Sequence, residues 1–171
     1  LKNMLLKKLV DIILLLKIWK EKLNLKLGKV LEVKKHPDSE KLYVLQVDLG
    51  SEKRQIVSGL QQIYKENELH NRKVVVIANL KPAKLAGYDS CGMILACEDP
   101  VKGHSDCGLL TSELKTGENI KCDKFVADND SEIKIKIFQD LALYVKSGKV
   151  YCDGKELKGL GVDRGFEGKV C

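Results

Sequence analysis

A chain of 171 residues has room for one large domain or two small ones, and 44% apolar content is enough for a genuine core. Aromatics are sparse at 5%, so that core must rest on Val, Ile and Leu rather than on rings. The net charge of +6 excludes an acidic, anion-repelling protein, and six cysteines without a C-x-x-C pair exclude the common zinc patterns.

Residues 1–23 read as a helix. Leu5, Leu9, Ile12, Leu16, Trp19 and Leu23 recur at steps of four and three, an a/d seam over three heptads. The seam predicts either a helix docked on its own domain or one that pairs with a partner, including self-association through Leu5, Leu9, Ile12, Leu16 and Trp19. Leu6, Val10, Ile13, Leu14 and Leu15 widen the apolar face. The same segment carries six lysines against two acids, whereas residues 101–171 are balanced. Front-loaded positive charge favours a nucleic acid or a membrane surface as partner. Its longest uncharged run, Ile12 to Leu16, is far too short to cross a bilayer, and no cleavage site follows it. No membrane insertion is expected. Beginning at Leu1, the sequence reads as a piece of a longer protein.

From Leu27 the period changes to two. Strands are expected at Leu27–Val33, Leu42–Asp48, Arg54–Ser58, Lys73–Ala78 and Met93–Cys97, with a short helical break within Gly59–Leu69. His36-Pro37-Asp38-Ser39 is a turn between the first two. Five short strands with that break suit a five-stranded OB-fold barrel, mainly β, over residues 24–100. The polar stretch Glu98–His104 is the expected boundary. Beyond it, residues 101–171 read as a small β-rich extension that includes Cys107–Leu110, Asn119–Phe125, Ile133–Phe138, Leu141–Val145 and Val150–Cys152.

The stretch between the last two barrel strands carries the chemistry. Asn79-Leu80-Lys81-Pro82-Ala83-Lys84-Leu85-Ala86-Gly87 is a basic, turn-rich loop between two apolar strands. Loops on a rigid base are where binding residues concentrate. Two lysines, an amide and a serine suit a polyanion better than an apolar ligand. Nothing here looks like an enzyme: no nucleophile elbow, Walker loop or metal-spaced cluster appears, and no cofactor or metal is expected. Asp128, Asp130 and Glu132 alternate as a charged edge would. The cysteines form no secreted framework, which favours a reduced, cytoplasmic setting.

Ordered blocks then become recognisable. Leu27-Gly28-Lys29-Val30, His36-Pro37-Asp38-Ser39-Glu40-Lys41-Leu42-Tyr43, Val47-Asp48-Leu49-Gly50, Arg54-Gln55-Ile56-Val57-Ser58-Gly59-Leu60, Asn71-Arg72-Lys73-Val74-Val75, Asn79-Leu80-Lys81-Pro82-Ala83-Lys84 and Ser90-Cys91-Gly92-Met93 together resemble the tRNA-binding domain family. That family stands alone in bacteria and is appended to aminoacyl-tRNA synthetases. It includes the precursor of endothelial monocyte-activating polypeptide II. The tail Tyr151-Cys152-Asp153-Gly154-Lys155-Glu156-Leu157-Lys158-Gly159 is similar to the C-terminal extension of the eukaryotic branch. In the family that extension packs on the barrel and imitates the second subunit of the bacterial dimers.

The resemblance implies an OB-fold that binds tRNA by backbone and shape, without catalysis, as an appendage or cofactor of a synthetase, methionyl or tyrosyl first. Carried over position by position, it implies an RNA surface of Asn79, Lys81, Lys84, Ser90 and Met93. Arg54 joins them as a basic residue at a strand edge. His36, Pro37, Asp48, Gly50, Ser58 and Gly59 match as scaffold. Ala86 and Cys91 stand where many relatives carry polar or charged residues, which implies a weaker grip. Lys26 to Glu32 departs from the segment tied to cytokine activity, so that activity is not carried over. The alternative is a protein-interaction or cytokine-like module acting through the helix and the barrel surface.

Overall fold

The computed structural model describes residues 1–141 and 143–171, without the side chains of Ile12, Leu14, Leu15, Leu16, Ile18, Lys20 and His104. It opens with helix α1 (Lys2–Lys22), followed by strands β1 (Leu25–Lys35), β2 (Tyr43–Asp48) and β3 (Lys53–Ser58). A single helical turn, α2 (Glu66–Leu69), precedes β4 (Lys73–Ile77). The chain then forms β5 (Ala83–Leu85), β6 (Tyr88–Ser90), β7 (Met93–Ile94), β8 (Ala96–Asp99) and β9 (Gly103–Ser112).

The main sheet has the order β3-β2-β1-β4-β7, antiparallel throughout. It curls until its ends meet: Cys91 N donates to the Gln55 carbonyl at 2.9 Å, joining the β7 side to β3. The result is the mainly β, OB-like architecture expected from the strand pattern, and the helical break falls where it was predicted. Asp48 accepts from Gly50 N at 2.8 Å and closes the β2–β3 turn.

Strand β4 explains why its sequence is apolar without alternation. Val74, Val76 and Ala78 face the barrel interior with Val30, Leu45, Val47, Ile56 and Leu109. Val75 and Ile77 face outward, yet they too are buried, beneath the C-terminal extension. A strand covered on both faces reads as a continuous hydrophobic run. Leu95 and Leu110 lie in the same outer layer.

The extension contains β10 (Lys121–Cys122), β11 (Phe125–Val126), α3 (Ile135–Gln139), β12 (Leu143–Lys146), β13 (Lys149–Cys152), β14 (Lys155–Glu156), β15 (Leu160–Val162) and β16 (Gly168–Lys169). It does not hang from the barrel. Residues 98–104, expected as an interdomain loop, turn the β8–β9 hairpin, and β15 pairs with β9. Leu25 N donates to the Ala127 carbonyl and Leu27 N to that of Glu118, so the extension also pairs with the start of β1. Gly50 and Gly117 cross backbone to backbone; a Cβ on Gly50 would stand 2.9 Å from the Gly117 Cα, so neither position has room for a side chain.

A polar clasp adds specificity to this joint. The Tyr64 hydroxyl donates to Asp163 and accepts from Leu109 N. The Arg72 and Arg164 guanidinium groups both lie over its ring, at 5.3 and 4.6 Å, and Arg72 also pairs with Asp163. Burial is the largest influence on this phenol and drives its pKa up.

Among its described side chains, helix α1 (Lys2–Lys22) is docked at its C-terminal end. Trp19 and Leu23 are fully buried in the outer layer. Met4, Leu5, Leu6, Leu9, Val10 and Ile13 are exposed, Leu5 by 63% and Ile13 by 56%. The seam members Ile12 and Leu16 lie outside the described side chains. Among the described residues, no helix is long and apolar enough to cross a membrane.

Candidate nucleic-acid interface

The basic loop of the sequence is a projecting β-hairpin. Strands β5 and β6 pair Ala83 with Ser90, Lys84 with Asp89 and Leu85 with Tyr88. The two-residue turn between them, Ala86-Gly87, has φ of +49° and +87°. Two consecutive positive φ values match the twist of a tight hairpin, and Gly87 takes its share without strain.

Three attachments hold the hairpin in place. At the tip, His36 Nε2 lies 2.9 Å from the Ala86 carbonyl, while its Nδ1 accepts from Asp38 N. Nε2 therefore carries the proton and donates to Ala86. The His36 ring also meets Tyr88 edge-on at 4.8 Å. At the root, Gln55 donates its side-chain amide to the Asp89 carbonyl. The Ser90 hydroxyl accepts from Val57 N at 3.0 Å and lies 3.2 Å from the Gly92 carbonyl. His36 matched the family as scaffold; the geometry shows what it holds.

The expected site residues divide into two groups. Lys81 and Lys84 are exposed, and neither enters an ion pair among the described residues. Alternation along β5 puts Ala83 and Leu85 on one face of the hairpin and Lys84 on the other. Met93 is half-buried beside the hairpin root. The remaining three are engaged by the protein itself. Asn79 is buried: its amide nitrogen donates to the carbonyls of Lys22 (2.6 Å) and Ser131 (2.8 Å), and its oxygen accepts from Asn24 N (3.0 Å). Ser90 is buried under the hairpin. Arg54 bridges the barrel seam, donating to the carbonyls of Ala78 and Cys91, and pairs with Glu52. The pocket around it is lined by Glu52, Asp130 and Glu132 as well as Lys53, a mixed charge that favours phosphate less than the hairpin lysines do. These donors differ from the expectation because their polar groups lie at the meeting point of helix, barrel and extension, where burial demands internal partners.

The sequence reading missed the opposite wall. The segment around Ile133 runs beside Leu80: Ile133 N donates to the Asn79 carbonyl and Lys81 N to that of Ile133. Between it and the hairpin lies a groove of about 570 Å³ lined by Val57, Leu80, Leu85, Met93, Ile133 and Ile135, with Lys81 and Lys134 along it. A neighbouring depression carries Lys22, Lys134 and Lys136 together with Glu21 and Glu132. Lysines therefore extend from the hairpin across the extension to the end of α1, interrupted there by the two glutamates. The alternation Ile133-Lys134-Ile135-Lys136 is the one signal that could have pointed here.

Most of the cysteines are buried thiols. All six are free, and burial pushes Cys107 up to about 11 and Cys152 and Cys171 up to about 12. Thiols held protonated are poor nucleophiles and poor metal ligands. Among the described residues no group of His, Cys, Asp and Glu could hold a metal ion.

Comparison with known proteins agrees with the barrel and its hairpin. The model of the family described as "Putative tRNA binding domain" matches residues 25–119, more than half of the chain. The chain belongs to the tRNA-binding domain family. A methionine–tRNA ligase from Pyrococcus abyssi is 58% identical over 78 residues, which is 46% of this chain and 11% of that enzyme. The chain therefore spans only a small part of the curated relatives it matches. Among solved structures, the C-terminal domain of Plasmodium vivax p43 aligns with a TM-score of 0.73 and 28% identity, over 90% of this chain and 98% of that one. That alignment is too long to stop at the barrel, so the likeness takes in the extension. A MetRS-related protein from Pyrococcus horikoshii aligns over 56% of this chain and 87% of its own, at 34% identity and a TM-score of 0.52.

Proposed function

We propose that this non-catalytic tRNA-binding domain works as the appendage or cofactor of an aminoacyl-tRNA synthetase, holding the tRNA backbone with Lys81, Lys84 and Lys134. The observation that carries the reading is the hairpin. It is rigidly held, its lysines are exposed, and a lysine of the extension faces it across the groove. Ordered loops lose little entropy on binding, and phosphate contacts supply most of the affinity of such proteins. In this reading Asn79, Ser90 and Arg54 position the hairpin, and Met93 supplies apolar surface. Of the methionyl and tyrosyl possibilities, the methionine–tRNA ligase relatives favour the first. A weak binder still helps a tethered enzyme, because the second contact becomes intramolecular. A cytoplasmic setting follows from that role. The test is a titration with tRNA, with duplex DNA and single-stranded RNA as competitors. Preference for tRNA supports the reading, and equal competition by DNA defeats it.

The bare face of α1 favours a second reading, self-association. An apolar stripe spanning Leu5, Leu9 and Ile13 is larger than isolated surface leucines need explain. Leu5→Glu, Leu9→Glu and Ile13→Glu together should leave the melting temperature unchanged and halve the mass seen by light scattering. An unchanged mass would show that the helix does not join copies of this chain.

A further inference from the structure

The lysines account for only the rim of the groove beneath the hairpin; most of its lining is apolar, from Val57, Leu80, Leu85, Met93, Ile133 and Ile135. Leu85 on the hairpin wall is 40% exposed and Ile135 on the opposite wall 38%. These two large apolar side chains come from segments fifty residues apart and line one slot, with Lys81 and Lys134 beside them. Water is a poor occupant for such a surface, and each exposed apolar patch that a ligand covers adds to affinity. An occupant that combines an apolar body with adjacent negative charge complements this lining.

We infer that the slot takes one unstacked nucleotide of the bound RNA, its base between Leu85 and Ile135 and its flanking phosphates on Lys81 and Lys134. This rests on the RNA-binding reading above and adds a requirement for an unpaired base. Bases within a duplex are stacked and unavailable, whereas ends and loops offer bases that can be splayed onto a protein surface. The floor of the slot carries no free side-chain donor: the Ser90 hydroxyl is already engaged by Val57 N and the Gly92 carbonyl. The slot therefore accepts any base, and reads the presence of an unpaired nucleotide rather than its identity.

The test uses two RNAs: a blunt-ended duplex, and the same duplex with a short single-stranded run of adenosines at one 3′ end. The wild-type chain should bind the extended RNA more tightly. Ala83→Trp places an indole over the slot from a solvent-facing strand position, and should weaken the extended RNA by about tenfold while leaving the blunt duplex unaffected. Methyl NMR of the wild-type chain gives an independent readout: adding adenosine monophosphate should shift the Leu85 and Ile135 methyl signals. No advantage for the extended RNA, an equal loss for both RNAs, or methyls that answer an acidic peptide but not the nucleotide would overturn the slot. If neither RNA binds, the RNA-binding reading fails first, and the slot with it.

Discussion

Asn79→Ala should lower the melting temperature by on the order of 10 °C, the largest stability effect expected from any residue of the predicted site. Its side chain makes three hydrogen bonds, to Lys22, Asn24 and Ser131, which belong to the end of the helix, the start of the barrel and the extension. Removing it leaves three backbone groups without that partner, one in a buried and two in part-buried settings. At about 1 kcal/mol each, the loss is about 3 kcal/mol. Alanine cannot replace any of them. Measured well below the transition, the variant should keep most of its tRNA affinity, because the amide points into the protein. A melting temperature within a degree or two of wild type, together with a large loss of affinity, would show instead that the amide faces the RNA.

Asn79 matches a nucleic-acid contact of the family, and the structure gives its amide partners inside the protein. Its position between β4 and the hairpin was legible, as were the barrel strands, because period-two alternation and turn residues are local signals. What a polar side chain does there depends on what lies over it. Residues 131–133 approach Asn79 from 52 or more positions along the chain, and no local pattern announces that. Lys134 was invisible for the same reason: on its own it is one lysine in an alternating stretch, and it reaches the groove beside Lys81 only when Ile133 pairs beside Leu80. Helix α1 (Lys2–Lys22) forms where the periodicity placed it, with docking and partner pairing both left open by the seam. Its seam was clear, but periodicity cannot say where a neighbour ends. Among the described side chains, Trp19 and Leu23 at one end are buried in the protein, and Met4 to Val10 and Ile13 are exposed. His36 shows the sequence reading at its best. The turn around Pro37 was evident, and the structure adds the carbonyl of Ala86 that the imidazole holds.

The lysines carry the second large effect. An exposed Lys81, Lys84 or Lys134 contributes through counterion release, so the logarithm of the binding constant changes by about 0.7 to 0.9 per decade of salt for each phosphate neutralised. Three contacts predict a slope shallower by roughly 2 to 3, and an affinity lower by about a hundredfold near physiological salt. None of the three is buried, so the fold should survive their loss. Titrating tRNA at several salt concentrations into the wild-type chain and into the Lys81→Ala, Lys84→Ala, Lys134→Ala triple variant compares the two directly. The interface described above predicts a weaker, less salt-dependent complex for the triple variant, with an unchanged melting curve. Superimposable slopes for two equally folded proteins would mean that the RNA is held somewhere else.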